Sequence, residues 1–92
     1  MGTLGAIRRK VRANQYEITD HARTEMQDDG LRVADLEHAI LFGKIAQTLT
    51  DDLRGTRYVI WEHKRNVAVV CCILPSGLLR IITDWAGGPD EE

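Results

Sequence analysis

The sequence of 92 residues predicts a single α+β domain, with N-terminal helices packed on one face of a small antiparallel meander sheet. Two observations carry this expectation. Apolar residues recur at helical spacing as far as Gly43, and extended apolar runs separated by turn residues follow it. The turns are short enough that consecutive strands must be antiparallel neighbours, so every strand is expected from the C-terminal half.

From Thr3 to about Ala13, Leu4, Ile7 and Val11 fall at helical spacing, with Arg8, Arg9, Lys10 and Arg12 around the other faces. Residues 1–15 therefore read as a short amphipathic helix or arm. A lone helix of this length is marginal in water, so it is expected to dock on its own domain or on a second copy, as a homodimer. Tyr16, Glu17 and Ile18 read as a brief extended piece. Thr19 is a suitable N-cap for a second helix reaching Asp29, with Asp20 in its first turn and Gly30 as its stop. Ala22 and Met26 form its inward stripe. A third helix, Val33 to Phe42, shows Val33, Leu36, Ala39 and Ile40 on one face and closes at Gly43, and Leu31 bridges the two helices.

Four strands are expected after Gly43: Lys44–Leu49, Thr56–His63, Val67–Leu74 and Leu79–Trp85. Asp51-Asp52, Lys64-Arg65-Asn66 and Pro75-Ser76-Gly77 form the turns. The run Val67–Leu74 is apolar on both faces, which makes it central and covered by helices on at least one side.

A formal net charge of −2 argues against a molecule that is cationic all round, so attraction to phosphate must come from local clusters. Basic residues gather near the start, and Asp90, Glu91 and Glu92 make residues 87–92 an acidic tail. No stretch approaches the roughly 20 apolar residues that span a bilayer, and the first residues lack the apolar core of a signal peptide. A soluble cytoplasmic protein without a membrane partner is expected. Cys71 and Cys72 are neighbours whose side chains point to opposite faces of a strand, so they read as reduced thiols in or near the core. The histidines have no ligand-like spacing, and no phosphate loop, nucleophile elbow or zinc motif occurs, so neither metal nor cofactor is expected.

Several separated pieces fall in a recognisable order: Thr19-Asp20-His21-Ala22, Met26, Gly30-Leu31, the helix end Ala39-Ile40-Leu41-Phe42-Gly43-Lys44-Ile45, and Arg80-Ile81-Ile82-Thr83. Over about residues 16–85 the chain resembles the small bacterial family called domain of unknown function 4258. The resemblance implies the compact fold of RelE/ParE-type proteins and the wider barnase-like ribonuclease group. Some relatives are toxins of toxin–antitoxin pairs, enzymes that use no metal. It therefore implies a metal-independent endoribonuclease acting on RNA and neutralised by a cognate antitoxin. The alternative is a catalytically inactive protein-interaction module of the same fold, binding through a sheet edge or the N-terminal helix. Two positions depart from the family's pattern: Asp29 stands before Gly30 where a basic residue is common, and Asp84 intervenes before Trp85.

Metal-free RNA cleavage needs a base, an acid and cations to stabilise the crowded phosphate. His21 and Arg80 are the candidate catalytic residues, and Arg23 and Arg57 the candidate phosphate or RNA contacts. His21 sits beside a helix N-terminus that favours anions; its other reading is a packing histidine at the strand-to-helix corner. Arg23 either binds phosphate or solvates the helix. Arg54 and Arg57 flank Gly55 as a basic lip or as solvated loop charge. By strict alternation Arg80 shares a face with Ile82 and Asp84, either in an active site or ion-paired to Asp84, while Thr83 and Trp85 point the other way. The two faces cannot serve one pocket unless a bulge re-aims them. Trp85 then reads as a core lid or as a base-stacking platform. His38 is expected to be exposed, and His63 flanks a turn beside Trp61.

Overall fold

The computed structural model describes residues 2–50 and 55–86. The elements run α1 (Thr3–Arg12), β1 (Tyr16–Ile18), α2 (Asp20–Asp29), α3 (Val33–Phe42), β2 (Lys44–Leu49), β3 (Arg57–Glu62), β4 (Val67–Ile73) and β5 (Leu79–Ala86). The expected Asp51-Asp52 turn, Arg54 and the acidic tail lie outside the described residues.

The architecture is α+β, and its sheet has the order β1-β5-β4-β3-β2. Strands β2 to β5 form the antiparallel meander, with β4 at the centre, as its apolar run requires. One expectation is corrected. The extended piece β1 belongs to the sheet and pairs in parallel with β5, Tyr16 opposite Leu79 and Ile18 opposite Ile81, so the sheet is mixed and not wholly from the C-terminal half. The pairing gives the outer edge of β5 partners it would otherwise lack: Leu79 N–H donates to Gln15 O and Thr19 N–H to Ile81 O, each at 3.1 Å.

All three helices cover the same face. Ile7 and Val11 from α1, Ala22 and Met26 from α2, and Leu36, Ala39 and Ile40 from α3 pack with Ile60, Val69, Cys71, Leu79 and Ile81 of the sheet. The amphipathic stripe of α1 is thus satisfied within its own chain. Its hold is partly ionic, because Arg8 donates from Nε to Ile40 O at 2.9 Å and from Nη2 to Gly43 O at 2.6 Å. A cation there meets the exposed carbonyls that end α3. No helix among the described residues is long and apolar enough to cross a membrane.

Local signals act as read. Ala22 N–H donates to Thr19 Oγ1 at 3.1 Å, and Gly30 closes α2 with φ 67°, letting Leu31 N–H reach Met26 O at 2.8 Å. Val33, expected on the inward face of α3, is 38% exposed. Both cysteines are free thiols; Cys71 is buried, and burial followed by the charge of Cys72 pushes its pKa up to about 12. Gly43 is required for space and not for its backbone angles. A Cβ there would lie 2.5 Å from Ala39 O and 2.7 Å from Trp61 O. Gly43→Ala is expected to cost about 2–3 kcal/mol in urea denaturation. Gly5→Ala, in open space on α1, should instead stabilise by about 0.5–1 kcal/mol.

Candidate functional site

The register of β5 decides where its side chains go. Cys72 pairs with Arg80 and Cys71 with Ile81, but Val70 then pairs with Thr83, so Ile82 has no counterpart on β4 and forms a bulge. One extra residue reverses the alternation beyond it. Leu79 and Ile81 face the helices before the bulge, and Asp84 faces them after it. Arg80, Thr83 and Trp85 all lie on the opposite, open face. This corrects the expectation from strict alternation, which grouped Arg80 with Asp84 and set Trp85 apart.

The open face can be read row by row, because directly paired residues share a face. One row runs Trp85, Ala68, Trp61 and Lys44 across β5, β4, β3 and β2. The next holds Thr83, Val70, Val59 and Gln47. At the far end stand Glu17, Arg80 and Cys72, with Arg57 on β3 and Leu49 beside it. Two strand spacings separate the tryptophans, about 10 Å. Both indoles are half-exposed, while Ala68 between them is fully buried although the described helices lie over the other face. Trp61 is oriented by donation from Nε1 to Asn66 Oδ1 at 2.9 Å.

Of the residues singled out in the sequence, Arg57 and Arg80 come together on this face, flanking Cys72. The partner of Arg80 is Glu17, whose carboxylate accepts from its Nε at 2.5 Å, and not Asp84. His21 and Arg23 lie elsewhere, exposed on α2 beyond the helix-covered face of β5, and His21 Nε2 stands 3.8 Å from the Glu25 carboxylate. Sequence reasoning missed Lys44 and the platform role open to Trp61, and it placed Trp85 on the wrong face. Only the register between strands reveals them. Among the described residues, Lys44, Arg57 and Arg80 against Glu17 make the open face net positive on a chain of net charge −2, whereas α2 carries Asp20, Glu25, Asp28 and Asp29.

Two carboxylates are buried among the described residues, and their surroundings differ. Glu62 accepts N–H bonds from Lys64 at 2.8 Å and Arg65 at 3.0 Å and lies 3.7 Å from His38 Nδ1. Burial alone would raise its pKa, but those bonds, with His38 and His63, hold it below the usual value. His38, expected to be exposed, is thus half-buried between Glu62 and Phe42, whose ring centroid is 4.8 Å away. Asp84 is 0% exposed, and neither oxygen has a hydrogen-bond partner. Burial, then Glu25 and Asp29, pushes its carboxyl up to about 6, against a lowering influence from His21. Tyr16 donates its hydroxyl to Glu37, and burial followed by that carboxylate raises it to about 12.

A family described as a domain of unknown function (DUF4258) matches residues 18–83. The chain belongs to the DUF4258 family. No curated protein matches it, and neither does any solved structure. The DUF4258 span takes in Thr19, the bulge and Arg80, and leaves α1 and Trp85 outside.

Within that span Thr19 joins the helix layer to the bulge: its hydroxyl accepts from Ala22 N–H and donates to Ile82 O at 3.0 Å. A cavity of about 440 Å³ lined by Lys10, Gln15, Ser76, Gly77 and Leu78 includes none of the predicted site residues. Among the described residues no three His, Cys, Asp or Glu side chains converge as a metal ion would need. Thr19→Val keeps the side chain's shape but removes both hydroxyl bonds, and it should lower stability by about 1–2 kcal/mol. Arg80→Ala breaks only a half-exposed ion pair and should cost less than about 1 kcal/mol; chemical denaturation of the two variants checks the contrast.

Proposed function

We propose that this chain is a RelE/ParE-type domain that engages single-stranded RNA on the open face of its sheet. The observation that carries the reading is the bulge at Ile82, which brings Trp85 to the face of Arg80. The two indoles on this face offer surfaces on which unpaired bases stack, and Arg57, Arg80 and Lys44 supply charge for the backbone; aromatic platforms beside cations are the usual means of holding a single strand. The family resemblance supplies the RNA. Metal-independent cleavage, which the same resemblance implies, would draw its acid–base group from His21, on the far side of β5. Engagement is therefore the part of the reading that the geometry supports best.

A second reading, the protein-interaction module, has its own observation. Strand β2 forms an edge of the sheet, and Phe42, just before it, is 69% exposed. An antitoxin segment could add there as a further strand, with the phenyl ring as its anchor.

Anisotropy of a labelled single-stranded RNA tests the first reading. Arg57→Ala and Arg80→Ala should each weaken binding and flatten the slope of log K against log salt by about 0.7. Trp85→Ala should lose about 1–3 kcal/mol of affinity for the strand. Absence of RNA binding, or binding indifferent to all three substitutions, would sink the reading and leave the β2 edge as the functional surface.

A further inference from the structure

Asp84 violates the rule that a buried carboxylate is paired or hydrogen-bonded. Glu62 shows that the same fold satisfies a buried acid elsewhere, with backbone N–H groups and a histidine. The difference is one of register. The bulge turns Asp84 inward, opposite Val69 and beneath α2. From α2, His21, Glu25 and Asp29 face it; β4 brings only apolar Val69, and the charge of β1, Glu17, is turned to the open face with Arg80. Its β5 neighbours Thr83 and Trp85 point to the other face. The surrounding charge is thus two carboxylates and one exposed histidine, all on a single helix.

We propose that a proton on Asp84 seats α2 on β5, so that the carboxyl is a pH-sensitive latch between the helix and the sheet. Protonated, the side chain is neutral and the helix closes over it. Ionised, it is a buried anion facing Glu25 and Asp29, and the helix loosens. Burial and those two acids lift the carboxyl to about 6. The folded chain then binds more protons than the unfolded chain between about pH 4 and pH 6, so the latch's stabilisation is full at the acid end and is lost as pH rises through that window. Loosening reaches the open face by two contacts. Thr19 ties the start of α2 to Ile82, and the Asp29 carboxylate accepts from Ala86 N–H at 3.2 Å.

Hydrogen exchange of α2 amides, corrected for intrinsic rate and referenced to α3, reads the latch directly. In the wild type, protection of α2 should fall by up to about 25-fold between pH 4.5 and pH 7.5. In Asp84→Asn it should stay flat, and in His21→Ala the fall should persist. Carbon-detected NMR titration of the Asp84 carboxyl in the wild type removes any dependence on how the variants fold, and a midpoint near 6 is expected. A midpoint near 4, a flat wild-type profile, or an unchanged pH dependence in Asp84→Asn would each overturn the proposal.

Discussion

The hydroxyl of Thr19 is the contact on which the rest of the arrangement turns. It accepts from Ala22 N–H, starting α2, and donates to Ile82 O, the carbonyl of the one residue in β5 without a partner on β4. The Thr19 backbone N–H adds a bond to Ile81 O. A helix start, a parallel strand pair and a bulge are thereby fixed at one point. Everything beyond Ile82 in β5 follows from that parity change: Trp85 turns outward and Asp84 turns inward.

The division of charge follows the same geometry. Cations that look in the sequence like a nucleic-acid patch are partly structural, since Arg8 is consumed by the carbonyl end of α3 and Arg65 pairs with Asp35 at 3.3 Å. Three other cations share one face of the sheet, Arg80 among them as the partner of Glu17. Lys44, Arg57 and Arg80 stand on the face that the helices leave open, and the acids of α2 are kept on the opposite side. A net negative chain can therefore present a locally positive surface, which composition alone does not reveal.

Elements governed by neighbouring residues were legible in the sequence. Thr19 and Gly30 bracket α2 through contacts a few residues away, and the run Val67–Ile73 announces its central position through apolar side chains on both faces. What was not legible depends on distant partners. A strand as short as β1 has no measurable alternation, and its bonds join residues about sixty positions apart. The bulge is hidden for a related reason: Ile81 and Ile82 are both apolar, so either could face the core, and only pairing with Cys71 and Val70 chooses between them. That choice decided the candidate site, separating His21 and Arg23 from Arg57 and Arg80 and pairing Arg80 with Glu17.

The bulge puts Trp85 on the open face with Trp61. A nuclear Overhauser spectrum of the wild-type protein tests it most directly, because directly paired side chains on adjacent strands place their Cβ atoms about 5 Å apart. The Ala68 methyl group is expected to show cross-peaks to the indole protons of both Trp61 and Trp85. Cross-peaks joining the Trp85 indole instead to Met26 or Ile81 would place it under the helices and contradict the account.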